Sequence, residues 1–394
     1  AVDNVGNVGE VQTRENVQVD LTPPNSNYRV EGINLNDILP ESTVIAFDST
    51  DAHSGVSHIN YKFNEQNRYT RYQNKGLVKL EVLKDGPYTM KFHGLDNVSN
   101  AEADKTYSFY LDKIPPVVSF SVQGDDYQGA KDRYVSERTT FEITATDNKA
   151  GVEGITYSID GKDGQDYAAA FTLGSQSGRH TIGFRATDRV ENRSALERLP
   201  FYLDVTAPET QVIYRGGWHE TAEVVYIAPN TRLQVVATDK ESGVKAIRYK
   251  LDATDAMDFP NTPITILMPG AHELFRYGVD NVNNREGAQF TALWVDDTPP
   301  EIVATFSIVP DANTRMGDTM GTYVQGEILY LAATDEHSGV ERIVYSINGG
   351  AELEYHTPLR LDDDGEFAVV IKSIDKVGNE SSHSINFKVR DGSM

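Results

Sequence analysis

Residues 178–192 read GRHTIGFRATDRVEN. His180, Ile182, Phe184 and Ala186 alternate with Arg179, Thr181, Gly183 and Arg185, a period of two that marks a strand with one face turned inward. The stretch closes on DxVxN, and that pattern occurs five times, at Asp3-Val5-Asn7, Asp96-Val98-Asn100, Asp188-Val190-Asn192, Asp280-Val282-Asn284 and Asp375-Val377-Asn379. Its aspartates stand 93, 92, 92 and 95 residues apart. A second pattern, TDxx(S/A)GV, runs from Asp51 to Val56, Asp147 to Val152, Asp239 to Val244 and Asp335 to Val340. A third mark is an Asp four residues ahead of a proline: Asp20, Asp112, Asp204 and Asp296, with Asp391 in the same place near the end. Repeats at a fixed period decide the architecture before any single residue does. They divide the chain into a closing strand of a preceding repeat (1–22) and four repeats, 23–114, 115–206, 207–298 and 299–394.

Composition narrows the function. The 394 residues carry 36 Lys and Arg against 59 Asp and Glu, a net charge of −23, which disfavours nucleic acid, whose phosphates are bound by cations. Hydrophobic residues at 39% suffice for packed cores. No apolar run is long enough for a membrane-spanning helix, so membrane insertion within these residues is not expected. With 0 Cys, disulfides, zinc thiolates and a cysteine nucleophile are excluded.

Within the second repeat the apolar runs 117–122, 139–146, 155–159, 168–173, 180–186 and 199–204 are rich in Val, Ile, Thr, Tyr and Phe and are separated by Gly, Asp and Asn clusters. Short strands at such spacing predict an all-β fold of two-sheet sandwiches in tandem, elongated because short proline-containing junctions link them. Asp160-Gly161 and Asn348-Gly349 directly follow YSI segments and predict tight hairpins, which need positive φ.

The succession DxTPP, ATDxxSGV, IxYS(I/L)(D/N) and the long strand ending in DxVxN resembles the immunoglobulin-like repeats strung through large bacterial surface and secreted proteins. It spans essentially the whole chain. The resemblance implies an extracellular or cell-surface location and a non-enzymatic role as stalk or spacer of an adhesin or filament-like protein, with neighbouring repeats as the main partners. Two other readings stay open: an accessory region of a secreted polysaccharide-acting enzyme, and a module that itself binds a surface glycan or protein through loops such as 124–131 or 315–326. Fold likeness alone does not choose among them.

Candidate catalytic residues are not found. HExxH, GxSxG and phosphate-cradling glycine loops are absent. Eight residues before the DxVxN aspartate stand Tyr88, His180, His272 and Phe367, a substitution pattern that marks a packing position near a strand start. His53 and His337 have no histidine counterparts at the same loop position in the other repeats, and Ser54, Ser242 and Ser338 give way to Ala150. Trp294 occupies the place of Tyr110 and Tyr202, which predicts packing in the core or between repeats; Trp218, in RGGWHE, has no counterpart and is the candidate for an exposed contact such as a sugar platform. Asn97, Asn192 and Asn379 match glycosylation sequons. The five DxVxN valines are predicted to be buried plugs at the loop end.

The aspartates carry the chemistry. In an immunoglobulin-like sandwich the lead-in to the first strand, the loop after the second and the loop before the last lie at one end, so four triads should form: Asp20/Asp51/Asp96, Asp112/Asp147/Asp188, Asp204/Asp239/Asp280 and Asp296/Asp335/Asp375. Clustered carboxylates repel unless bonded or neutralised, and calcium takes six to eight oxygen ligands. Calcium bound where repeats join is one expectation. The other is a set of turns capped by Asp and Asn side chains bonding to nearby amides, with no metal.

Overall fold

The computed structural model describes residues 1–73, 76–309 and 321–392. Every regular element among the described residues is a strand. The strands fall into four sets, within 25–111, 117–203, 209–295 and 301–390. By density of contacts the chain forms two compact units: Ala1–Gly124 with Arg138–Gly174 and Gly178–Tyr202, and Asp125–Glu137 with Ser175–Ser177 and Leu203–Met394.

In the first unit, the first repeat pairs Asn25–Glu31, Val44–Thr50 and Val78–Lys79 in one sheet. The second sheet runs Ile38–Leu39, Lys105–Leu111, Gly86–Asp96, Val56–Phe63 and Thr70–Tyr72. The core draws on both: Ile45 and Phe47 from one, Met90, Phe92, Phe109 and Leu111 from the other. Ile38–Leu39 pairs parallel to the last strand, so the lead segment crosses from one sheet to the other. In the second repeat Val117–Gln123 pairs with Thr140–Thr146, and Phe120, Phe141, Phe184 and Phe201 form an aromatic core with centroids 5.0–6.0 Å apart. The expected strand at 168–173 does not form. Phe171 alone makes a bridge, exchanging backbone hydrogen bonds with Phe141 at 2.8 and 3.1 Å, and its ring lies on Tyr157 at 4.2 Å, so one paired residue and its side chain hold this segment.

In the second unit, the third repeat has Glu209–Arg215, Arg232–Thr238 and Ile264–Thr265 in one sheet and Trp218–Glu220, Val225–Ile227, Gln289–Val295, Gly270–Asp280, Val244–Leu251 and Met257–Asp258 in the other. The fourth repeats the plan, with a core of Leu329, Leu331, Ile371, Phe387 and Val389.

Two local features place the loops. The 11-residue strands Gly86–Asp96, Gly178–Asp188, Gly270–Asp280 and Gly365–Asp375 each start on a glycine at φ 138, 137, 106 and 147, a backbone that disfavours any Cβ. Each is met by the strand that follows SGV, in the same register: Val56 opposite Asp96, Val152 opposite Asp188, Val244 opposite Asp280, Val340 opposite Asp375, with a bulge immediately after. The expected hairpin turns are present, with Asp160 and Gly161 at φ 56 and 70 and Asn348 and Gly349 at φ 52 and 71.

Candidate metal centre

The register just described sets the SGV turn beside the DxVxN loop. Asp51 Oδ1 accepts the amides of His53 and Gly55 at 3.0 and 2.6 Å, closing a turn that passes through Gly55 at φ 80. Asp96 Oδ1 accepts the amides of Val98 and Asn100 at 2.9 and 2.7 Å. The Asn100 amide group then donates to Asp96 Oδ2 and to the Asp20 carbonyl at 2.7 and 3.0 Å, tying the loop to the lead-in segment. Asp20 closes the set, with Oδ1 accepting from Thr22 and Oδ2 from the Ser54 amide. The same bonds recur around Asp112/Asp147/Asp188, Asp204/Asp239/Asp280 and Asp296/Asp335/Asp375.

In all four triads one oxygen from each aspartate lies within 4.8 Å of the others. Asp112, Asp204, Asp296, Asp280 and Asp375 are fully buried, and Asp188 is nearly so. The capped turns of the second reading are therefore real, and they use up the Oδ1 atoms. The carboxylates remain crowded. Burial pushes Asp112 up, and the charges of Asp147 and Asp188 add to it; burial and then the Asp204 charge do the same to Asp239 and Asp280, though hydrogen bonds to their turns oppose the rise. Asp296 goes the other way, because bonds from Ser338 and Thr298 outweigh its burial.

Some polar atoms here have no partner. Asp147 Oδ2 is buried without a hydrogen bond, as are the hydroxyls of Ser54, Ser242 and Ser338, the last two in residues 6% and 4% exposed. Two oxygens that both lie about 2.3–2.6 Å from one calcium ion are at most about 5 Å apart. The spacing, the hard oxygen donors and the unpartnered buried oxygens fit that ion. Three carboxylates facing inward are the charge it would offset.

The valines correct the sequence-based expectation. Val190, Val282 and Val377 are buried at 1%, 0% and 3% exposure, but Val98 is 55% exposed and Val5 83%. They are not plugs between the sheets of their own repeat. The three buried ones follow a complete repeat, and contacts within the second unit show the cover: a Cβ at Gly217 would meet the Val377 carbonyl, and Asn283 donates to Asp125 at 2.6 Å. Trp294 packs between repeats as one of its two readings had it, its ring 4.8 Å from His337 of the next repeat; in the first unit Lys149 sits over Tyr110 at 4.6 Å in the same place. Asp125 in the loop 124–131 is held by Ser136 and Asn283, and residues 315–320 of the other proposed contact loop lie outside the described residues. The Nδ2 atoms of Asn97, Asn192 and Asn379, which a glycan would occupy, all donate hydrogen bonds.

His180 and His272 pair with the hairpin residues Asp160 and Asp252 at 2.8 Å each, and the equivalent Tyr88 and Phe367 stand beside hairpins that carry Asn64 and Asn348 instead. His and Asp have changed together. Burial would lower His272, but Asp252 and the Met268 carbonyl raise it above its ordinary value. A histidine raised on folding contributes stability that is complete below its unfolded pKa of about 6.5 and is lost as pH rises through the folded value. Thermal melts of the third repeat should therefore lose stability above about pH 6.5, and His272→Phe, the residue type of the fourth repeat, should flatten that slope.

No protein-family model matches the chain, and no curated protein matches it. Solved structures do. A tetra-tandem repeat from the extending region of a large adhesion protein is 14% identical, covering 93% of this chain and 100% of that one at a TM-score of 0.33. A structure concerned with host cell surface retention of a 1.5-MDa bacterial ice-binding adhesin is 12% identical over 70% of this chain and 100% of its own, at 0.33. Invasin, a bacterial integrin-binding protein, is 11% identical over 93% and 79%, at 0.30. The sheet topology is what decides the fold. The chain is a tandem array of immunoglobulin-like sandwiches. In each of its repeats the candidate metal centre lies where the lead-in segment meets the two loops.

Proposed function

We propose that this immunoglobulin-like array is a non-enzymatic spacer segment of a cell-surface, adhesin-type protein, and that calcium held by the aspartate triads stiffens the start of each repeat. The observation that carries this reading is the recurrence of one three-carboxylate cluster at the same place in all four repeats. A ligand-binding or catalytic site needs to occur once; a structural device that sets the pose of each repeat has to occur in every one. In each triad the lead-in aspartate supplies one carboxylate and the two loops supply the others, so an ion shared by all three fixes the lead-in against the body of the repeat. The acidic surface supports solubility and keeps strand edges from pairing between molecules.

The test is solution scattering of the chain with calcium and with chelator. Calcium should give a longer maximum dimension and a narrower distribution of shapes than chelator does, and magnesium should substitute poorly because it demands a stricter octahedral shell. Identical scattering in the two conditions would remove calcium from the reading.

A further inference from the structure

The third repeat departs from the others inside its own core. Four residues before the closing aspartate of the long strand, the other repeats bury Phe92, Phe184 and Ile371 at 1%, 1% and 0% exposure, and the third carries Arg276. Opposite Leu274 it has Thr291, where the matching cross-strand partners of Met90 and Val369 are Tyr107 and Ile385. Arg276 Nη1 donates to Thr291 Oγ1 at 2.8 Å, so the two polar residues form one substitution. A third difference makes room for them. Val212 stands where Tyr28 and Phe120 pack their rings on Phe92 and Phe184.

The result is a cavity of about 500 Å³. It opens between Glu209–Arg215, the edge strand of one sheet, and Trp218–Glu220, the edge strand of the other. Arg276, Thr291, Gln211 and Glu220 are its polar lining residues. Tyr214 and Trp218 stack on each other at 5.1 Å and 23°, and Trp218 is 43% exposed, so the pair presents the indole to solvent. Arg276 Nε is buried with no hydrogen-bond partner. A desolvated, unsatisfied guanidinium nitrogen costs stability, and three sister repeats show that an apolar residue solves the packing at this position. The Thr291 bond and the nearby Tyr214 and Glu286 offset part of that cost and leave Nε unsatisfied. A ligand would satisfy it.

We propose that this cavity binds a pyranose sugar that carries a carboxylate, as found along acidic polysaccharides or at the ends of acidic glycans. The guanidinium fork matches a carboxylate geometrically and is a local cation in a chain of net charge −23, so the anion is recognised at this point and not by the surface at large. The apolar face of the ring lies on the exposed Trp218 indole, which Tyr214 backs, and Gln211, Glu220 and Thr291 meet its hydroxyls. The volume suits one or two rings. This site stands apart from the aspartate triads and does not depend on them.

The chain has 2 tryptophans, so Trp294→Phe leaves Trp218 as the only indole reporter. That variant should be titrated with trigalacturonate and with sialyllactose, the two sources of the carboxylated ring, and with maltotriose and lactose as neutral counterparts. At least one acidic saccharide should give a saturable change in Trp218 emission, with a dissociation constant at least about tenfold lower than its neutral counterpart. Arg276→Phe, the residue type of the first two repeats, should abolish the signal while the third repeat melts no earlier than in the parent. Trp218→Ala, at an exposed position, should abolish the calorimetric heat of binding. Absence of saturation with both acidic saccharides across the millimolar range, equal binding of the neutral sugars, or unchanged binding in Arg276→Phe would each overturn the proposal.

Discussion

Val190→Asp should destabilise the second repeat by about 3–5 kcal/mol, whereas Val98→Asp should change the first by less than about 1 kcal/mol. The two residues occupy the same place in the same loop, yet Val190 is 1% exposed and Val98 55%. Burying a valine contributes about 1.5–3 kcal/mol, and an unpaired carboxylate left in its place adds a desolvation cost. An exposed valine contributes little of either. Differential scanning calorimetry separates the outcomes, because in a repeat array each repeat is coupled mainly to its neighbours and the loss should appear in the transitions of the two repeats that share the contact and not in the others. Equal effects at the two positions would mean that the valine acts within its own repeat, contrary to the burial pattern.

Chelation should lower the melting temperature, and calcium should restore it. A ligand that binds only the folded state stabilises by about 2.7 kcal/mol per site at a hundredfold excess over its dissociation constant. Asp239 is the informative position. Its Oδ1 accepts the Glu241 and Gly243 amides at 3.2 and 2.6 Å, bonds that an asparagine oxygen can also accept. Its carboxyl is raised by burial and then by the Asp204 charge, against the pull of the Gly243 amide, so the ionised form is a cost to the metal-free fold. Asp239→Asn should therefore leave metal-free stability unchanged or slightly higher, and remove one site's share of the calcium response.

Most of the strands, the hairpin turns and the grouping of the four aspartate triads were legible, because each depends on a short pattern written several times over; residues 1–22, expected to be a closing strand, form only the isolated bridge Val2–Val8. Asp51, Asp147, Asp239 and Asp335 must cap the same turn, so their spacing repeats. Contacts that depend on what lies beyond the repeat were not accessible in this way. Val98 and Val190 share the DxVxN pattern, yet one is exposed and the other buried, because the cover comes from outside the loop. The role of Asn100 was half visible: its bond to Asp96 is local, but its bond to the Asp20 carbonyl spans 80 residues and needs the fold. Arg276 was open to discovery. Aligning the repeats on their DxVxN aspartates sets Phe92, Phe184, Arg276 and Ile371 in one column, and the charged member stands out there. The segment 168–173 misled because its apolar residues serve packing by Phe171 and not a ladder.

Whether the triads hold metal is tested most directly by counting the bound ion. Isothermal titration of the chelator-stripped chain with calcium should give a stoichiometry of four, one for each triad, and three for Asp239→Asn. Absence of calcium-dependent heat, or a stoichiometry that Asp239→Asn leaves unchanged, would show that the aspartates are turn caps alone.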